Sequence, residues 1–197
     1  MKPSSPRGFS LIELMTTITV LAILLVLGIP SYQQWMLNTR IRTATESIQN
    51  GLRLARNEAV QRATFVRFQL NSATEATWTV CTPASASVSC PTSASSIIQQ
   101  VTADDTSGVQ ISATTAAPSA GSGKYTTPIT GGVPSGITYT ALGRPSSYLG
   151  SSILRIDVSA AQAGSRRLVT TISAGGMVSM CDPAIVFNTT TNAQGCP

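Results

Sequence analysis

The stretch Gly8-Phe9-Ser10-Leu11-Ile12-Glu13-Leu14 opens a run that carries no charged residue from Leu14 to Asn38. A membrane-spanning helix needs about 20 apolar residues, so this run is long enough to cross a bilayer. Apolar side chains leave no continuous polar face along it, which excludes an amphipathic surface helix. The sequence therefore predicts a helix that lies in lipid or in a fully apolar bundle.

Three residues of this segment bear on its role. After Gly28 the chain continues into further helix-compatible sequence instead of ending in a small-residue cleavage site, so we expect the apolar segment to be retained. Pro30 removes one backbone hydrogen bond and predicts a kink in the helix. Glu13 is a carboxylate in an apolar setting, where it needs either a cation or a place at the headgroup level to avoid protonation.

The string Arg7-Gly8-Phe9-Ser10-Leu11-Ile12-Glu13-Leu14-Met15 closely resembles the leader and processing site of type IV prepilins and type II secretion pseudopilins. The resemblance implies that residues 1–8 are a leader, which prepilin peptidase removes after Gly8. It also implies N-methylation of the new terminal residue, Phe9. Glu13 would then be the assembly carboxylate, pairing with the terminal amine of a neighbouring subunit.

Beyond the apolar segment of residues 9–35, the spacing of apolar residues changes. Over residues 36–63 they recur at intervals of 3, 4, 4, 3 and 4, which is one stripe of an amphipathic helix. The stripe consists of Ile41, Ala44, Ile48, Leu52, Ala55 and Ala59. We therefore expect the membrane helix to continue out of the bilayer and to pack this stripe on a sheet.

A second resemblance lies at the end of this helix. The stretch from Leu52 to Arg62, followed by Val66-Arg67-Phe68, resembles the signature of the GspH/FimT family of minor pilins and pseudopilins. Within it, we expect Arg56 and Glu58 to make surface pairs on the helix rather than to bind a ligand. Two later segments resemble further elements of the family: Ile137–Pro145 a strand that ends in a Gly-Arg turn, and Arg166–Val178 a closing hairpin.

The head, residues 64–197, reads as mostly β, because apolar and polar residues alternate and turn residues separate the runs. Residues 82–132 contain 19 Ser or Thr in 51 positions, so we expect loops there, with short, exposed strands. The predicted strands beyond Trp78–Cys81 and Val66–Leu70 are Ile97–Val101, Val109–Ser112, Ile137–Leu142, Ile153–Val158, Leu168–Ser173 and Met177–Cys181. Together with the resemblance, this predicts an α+β, pilin-like fold: a long N-terminal helix packed on a mostly antiparallel β head.

The four cysteines, Cys81, Cys90, Cys181 and Cys196, allow three disulfide pairings. We favour Cys81 with Cys90, which closes a short loop, and Cys181 with Cys196, which holds the C-terminal tail. Each bond would contribute about 2–4 kcal/mol. A metal site is disfavoured because the chain has no CxxC pair and no histidine.

Composition argues against an enzyme. The chain of 197 residues has no histidine, which removes the usual general base and excludes Ser-His-Asp, Cys-His and HExxH chemistry. The acidic residues of the head do not suggest a catalytic pair. We therefore predict neither a catalytic residue nor a cofactor nor a metal ion.

DNA binding is a separate question, raised by four arginines of the head: Arg144, Arg155, Arg166 and Arg167. These are candidate DNA contacts, but the removal of Lys2 and Arg7 with the leader leaves 11 basic and 8 acidic residues, a net charge of +3. DNA-binding members of the family carry a Gly-Arg-x-Arg motif, whereas this chain has Gly176-Met177-Val178-Ser179 at its hairpin. We expect any DNA contact to be weak.

The resemblance implies a structural assembly subunit, a minor pilin that helps initiate, prime or cap a type IV pilus. The alternatives are a GspH-like pseudopilin of a type II secretion system and a DNA-binding minor pilin for DNA uptake. The implied partners are other minor and major pilins or pseudopilins, prepilin peptidase and the inner membrane before assembly. The head would be periplasmic at first and would later lie at the tip of the pilus or pseudopilus.

Overall fold

The structure is a computed structural model that describes residues 8–87, 89–102, 108–116, 125–129, 132–133, 136–162 and 164–197, with backbone alone at residues 27 and 30. The basic residues of the predicted leader, Lys2 and Arg7, and parts of the Ser/Thr-rich region lie outside the described residues. The chain divides into two units, Met1–Met36 and Leu37–Pro197.

A single helix, α1 (Leu11–Gln61), accounts for most of the described part of the first unit. By length and composition it could cross a membrane: its most apolar window has a mean hydropathy of 2.4, and none of that window is buried within the chain. Three threonine hydroxyls in it are satisfied locally: Thr16 donates to the Glu13 carbonyl at 3.0 Å, Thr17 to the Leu14 carbonyl at 2.9 Å and Thr19 to the Thr16 carbonyl at 2.8 Å. This first unit is therefore a helix without a polar face to solvate.

The second unit holds the hydrophobic core, and α1 contributes one side of it. All six residues of the predicted stripe have zero solvent exposure, which confirms the amphipathic continuation of the helix. Gly51 lies on the same side, and a Cβ there would lie 2.7 Å from the Phe68 ring and 2.9 Å from the Trp78 ring. Glycine at this position thus lets the helix approach the sheet closely, although glycine costs about 1 kcal/mol in a helix.

Two sheets complete the core. Their strands are β1 (Val66–Leu70), β2 (Trp78–Cys81), β3 (Ile97–Val101), β4 (Val109–Thr114), β5 (Ile137–Tyr139), β6 (Arg155–Ala160), β7 (Leu168–Ile172), β8 (Val178–Val186) and β9 (Gly195–Cys196). The first sheet has the order β3-β2-β1-β5 and is antiparallel throughout; the second has the order β4-β6-β7-β8-β9 and is antiparallel except for the β8–β9 pair. One core cluster joins α1 to strands of both sheets. Its buried members all belong to the second unit, residues 37–197, so this unit, which consists of the end of α1 and the predicted head, contains its own core.

The Ser/Thr-rich region departs from expectation in one strand. β3 is half exposed, as predicted for a short strand of this region. The prediction of an exposed strand is wrong for β4, because Val109, Ile111 and Ala113 are all at least 96% buried. β4 pairs with β6 along its whole length and turns these three side chains into the core, which the loop-like composition around it concealed.

β5 is shorter than its hydrophobic pattern predicts. It ends at Tyr139 because the chain then turns, with the Gly143 amide donating to the Thr140 carbonyl at 2.8 Å. Leu142, expected in the strand, therefore lies in the turn and is 79% exposed. β8 is longer than predicted and continues past Cys181 to Val186.

Both predicted disulfides are present, in the sequential pairing. Cys81 bonds to Cys90 and Cys181 to Cys196, with Cα–Cα separations of 5.7 and 4.9 Å. The second bond joins β8 to β9 and thereby ties down the C-terminal tail. No cysteine of the described residues is free.

Candidate functional site

The predicted assembly segment begins with an exposed start to α1. The Leu14 amide donates to the Ser10 carbonyl at 3.1 Å, so the hydrogen-bonded helix starts close to Phe9, whose side chain is exposed. Glu13 lies in the first turn, where a carboxylate interacts favourably with the positive end of the helix dipole. α1 continues through Pro30 as one helix, and the predicted kink there stays a prediction.

Two of the candidate DNA-contacting arginines lie in a buried network around Asp157. Arg155 forms a two-pronged ion pair with this carboxylate, donating at 2.7 Å from Nε to Oδ1 and from Nη2 to Oδ2, and Arg167 Nη1 donates to the same Oδ2. Both side chains are largely buried, with 8% and 14% exposure. Because Asp157 is itself buried, its charge requires these cations, and the cations are committed to it.

The same network fastens a loop to the second sheet. Arg155 donates to the Thr127 carbonyl and Arg167 to the Thr126 carbonyl, both at 2.8 Å. The Ile129 amide donates to Asp157 at 3.2 Å. The guanidinium of Arg155 also lies 5.3 Å from the centre of the Tyr125 ring, a cation–π distance. These contacts assign a structural task to Arg155 and Arg167.

The other two candidate arginines are separate from this network. Arg166 is half exposed and pairs with the buried Asp182 at 2.6 Å, while its amide donates to the Asn38 side chain at 2.9 Å. Arg144 is exposed and follows Gly143 in the turn after β5. The structure therefore does not bring the four arginines together on one exposed face.

The signature residues at the end of α1 behave differently from one another. Glu58 pairs with Arg62, as expected for a helix surface. Arg56, by contrast, is half buried and donates from Nε to the carbonyl oxygen of Gly143 at 3.1 Å. Sequence reasoning missed this contact, although the Gly-Arg turn and the arginine of the helix were both recognised as family elements.

The turn of Gly143 also meets the β7–β8 hairpin. A Cβ at Gly176 would lie only 2.1 Å from the Gly143 carbonyl oxygen and 3.3 Å from the Tyr139 ring. Gly176 has a φ of +76°, which other residues adopt only with strain. The turn at Gly143 is thus contacted by Arg56 of the helix and by Gly176 of the hairpin, and a side chain at position 176 would not fit.

Two buried side chains near the first sheet have shifted ionisation. Burial raises the pKa of the Tyr139 phenol well above its ordinary value, and the charge of Arg56 opposes this only in part. Burial also lowers the pKa of Arg67, whose Nη1 donates to the Thr138 hydroxyl at 3.0 Å.

The head has two notable clefts. One of about 460 Å³ is bordered by Asn38, Arg42, Arg166, Asp182 and the Cys181 end of the tail disulfide. The other, of about 260 Å³, lies between α1 and the β7–β8 hairpin. Among the described residues, no group of three His, Cys, Asp or Glu side chains could hold a metal ion.

Two family models match the chain. The family described as "Type II transport protein GspH" matches residues 44–176, and the "Prokaryotic N-terminal methylation motif" matches residues 4–29. A search of curated proteins found no match.

Among solved structures, the chain is similar to the type IV minor pilin FimU of Pseudomonas aeruginosa in two crystal forms. The form in space group P21 has 15% identity and a TM-score of 0.47, covering 76% of this chain and 93% of FimU. The form in P65 has 15% identity and a TM-score of 0.44, covering 74% and 96%. The GspH match spans more than half of the chain and includes the signature helix, the Gly-Arg turn and β7, the first strand of the closing hairpin. The chain therefore belongs to the GspH family of minor pilins and pseudopilins, whose members are structural subunits and not enzymes.

Proposed function

We propose that this chain is a minor pilin that helps initiate, prime or cap a type IV pilus. The observation that carries the proposal is the first unit: an apolar helix without internal burial, which opens with a carboxylate in its first turn. A helix of this kind needs lipid or other apolar helices around it. Assembly into a filament of similar helices supplies them after the helix leaves the bilayer.

In this proposal the N-terminal residues have separate tasks. Prepilin peptidase cleaves after Gly8, and Phe9 becomes the N-methylated terminus. The Glu13 carboxylate pairs with the terminal amine of the neighbouring subunit, which provides the cation that a carboxylate requires in an apolar bundle. Pro30 loosens the helix by removing one backbone hydrogen bond. Before assembly the chain spans the inner membrane once, with its head in the periplasm.

The head supports a place at the filament tip. It carries two disulfides and a Ser/Thr-rich region, which suit a durable, exposed cap. A second candidate function is that of a pseudopilin in a type II secretion system. This candidate is favoured by the family description, which names type II transport.

DNA uptake is less well supported. Arg155 and Arg167 are committed to Asp157, and Arg166 to Asp182. Few exposed cations remain to neutralise phosphates, and phosphate neutralisation supplies most of non-specific affinity.

The test uses a strain that lacks this gene and is complemented with the full chain or with Glu13→Gln. The control is Glu46→Gln, which alters an exposed ion pair with Arg42. We expect Glu13→Gln to be processed and inserted but absent from filaments, with loss of surface pili; Glu46→Gln should restore them. Loss of type II secretion with normal pili would support the pseudopilin instead. Normal pili and normal secretion with Glu13→Gln would refute the assembly role.

A further inference from the structure

The smaller cleft belongs to an exposed surface where helix, turn and hairpin meet. We call this surface the turn patch and define it by Arg53, Val60, Leu142, Arg144 and Met177. Arg53 and Met177 line the cleft. Val60 reaches the turn, since its Cγ2 lies 3.0 Å from the position that a Cβ added to Gly143 would occupy. Leu142 and Arg144 flank Gly143 on either side.

The centre of the turn patch is apolar. Val60 is 52% exposed, Met177 63% and Leu142 79%. Single exposed apolar residues are common on soluble proteins, but three on converging elements are a candidate interface. Their positions are held firmly, because Arg56 and the close approach of Gly176 both fix the Gly143 turn.

The rim of the turn patch carries uncompensated positive charge. Among the described residues, Arg53 donates one side-chain hydrogen bond, to the neutral amide of Gln49 at 3.5 Å. Within the described parts of the chain, no carboxylate forms an ion pair with Arg53 or Arg144. Among the described residues, Arg42, Arg62, Arg155, Arg166 and Arg167 do have such a partner, so the charge of the turn patch is less compensated than theirs.

Among the described residues, to which Asp104 and Asp105 do not belong, a second copy of this chain offers few carboxylates as a complement. Four of the carboxylates that the structure describes are already in ion pairs: Glu46, Glu58, Asp157 and Asp182. Glu13 belongs to the apolar segment, which leaves Glu75 as the remaining carboxylate of the described head. As far as the described residues are concerned, charge complementarity therefore favours a different chain.

The apolar centre also distinguishes a protein partner from DNA. Protein interfaces are enriched in Met and Arg and keep their charged residues at the rim. DNA-binding surfaces are more polar and much more strongly basic. With two uncompensated arginines around three apolar side chains, the turn patch fits the first description.

We propose that the turn patch docks the head of a different pilin or pseudopilin subunit through a surface that combines apolar side chains with carboxylates. This inference rests on the proposed assembly function and adds the surface and the chemistry of the partner. Arg53 and Arg144 select the partner by charge, and Val60, Leu142 and Met177 provide the area that excludes water.

The test uses the full chain in its own membranes, together with each tagged pilin or pseudopilin subunit of the same assembly system. A photoreactive benzoylphenylalanine replaces Leu142, and in the control it replaces Val186. Val186 is an equally exposed apolar residue, 83% exposed, at the far end of β8. It lies about 26 Å along the strand from the hairpin, at 3.3 Å per residue.

We expect a cross-link from position 142, but not from 186, to a carboxylate-bearing segment of one subunit. Arg53→Glu combined with Arg144→Glu should reduce its yield about tenfold, because like charges oppose docking. Reversal of the partner's carboxylates to lysine should restore it. The milder pair Arg53→Gln and Arg144→Gln, with both disulfides intact by mass spectrometry, guards against misfolding and should give an intermediate yield.

Three results would overturn the inference: a cross-link to a second copy of this chain, a yield independent of the arginines, or no cross-link from position 142 in filaments that contain the chain. Binding of a 30-base-pair DNA duplex that depends on Arg53 and Arg144 would replace the protein partner with DNA. Failure of the unmodified chain to enter any filament would instead refute the proposed function, so the two failures are distinguishable.

Discussion

The Nε of Arg56 donates a hydrogen bond to the carbonyl oxygen of Gly143 at 3.1 Å, which joins α1 to a turn 87 residues further along the chain. A charged donor makes such a bond stronger than a neutral one, and only a long side chain reaches the turn from the helix. This contact gives a physical reason for an arginine at this point of the family signature. It also orients the turn that presents Leu142 and Arg144.

The close approach of the hairpin to this turn predicts different costs for two adjacent glycines. Gly176→Ala should lower the free energy of unfolding by about 2–3 kcal/mol, because its Cβ would collide with the Gly143 carbonyl at a positive φ. Gly175→Ala is the matched control and should change it by less than about 0.5 kcal/mol, since its Cβ would meet nothing closer than 3.9 Å. Urea denaturation of residues 37–197, followed by circular dichroism, measures both; equal midpoints would contradict the argument.

The network around Asp157 predicts a large effect from a small change. Asp157→Asn should destabilise the head by about 3–5 kcal/mol, because it leaves Arg155 buried without its counter-charge. It should also speed hydrogen exchange at Ile129, whose amide donates to this carboxylate. Glu46→Gln removes an exposed pair and should cost less than about 0.5 kcal/mol. If Asp157→Asn lowered the free energy of unfolding as little as Glu46→Gln does, the network would contribute little to stability.

Tyr139 predicts a dependence of stability on alkaline pH. Burial raises its pKa in the folded state, so above the unfolded value of about 10 the unfolded phenol loses its proton while the folded one keeps it. The contribution of Tyr139 to stability is therefore constant below that pH and falls as the pH rises above it. Tyr139→Phe should reduce this loss between pH 8 and 10.5 in urea melts of residues 37–197. At pH 8 it should stabilise the head by about 1 kcal/mol, because the buried hydroxyl finds no hydrogen-bond partner among the described residues. An unchanged alkaline loss would contradict the assignment.

Processing of the N-terminus is testable by mass. Gly8→Ala should yield a precursor that keeps residues 1–8, because the added methyl group crowds the peptidase at the cleavage site. Gly28→Ala adds the same methyl group in open space further along α1 and should be processed normally. Intact-mass spectrometry of membrane fractions distinguishes the precursor from the processed chain. If the Gly8→Ala variant began at Phe9, cleavage would not depend on Gly8.

The placement of the head arginines predicts weak DNA binding. We expect residues 37–197 to bind duplex DNA with a Kd above roughly 10 µM at physiological salt, because few exposed cations remain for phosphates. A gel-shift titration measures this. A sub-micromolar Kd that is lost in Arg144→Ala combined with Arg166→Ala would reverse the conclusion and favour the DNA-uptake function.

Much of the fold could be predicted from local patterns. The apolar run after Glu13, the stripe from Ile41 to Ala59 and most strands follow from periodicity, because each residue's side of a helix or strand depends only on its spacing from its neighbours. The sequential disulfides follow from short loops. β4 was mispredicted as exposed because its neighbours in sequence are loop-like, while its burial depends on β6, more than 40 residues away.

The sequence by itself determined the class of this protein, since the prepilin-like N-terminus and the helix signature are contiguous strings whose meaning does not depend on distant residues. Tertiary structure alone decided which arginines of the head are free of an internal ion pair and can bind another molecule. Arg155, Arg166 and Arg167 look like Arg144 in the sequence, yet three of them meet Asp157 or Asp182 and one does not. Folding likewise brings Arg53, Leu142 and Met177 to one surface from three separate elements. A charge acquires its partner only when the chain is folded, because ion pairing depends on a few ångströms of distance and on burial, neither of which is local in sequence.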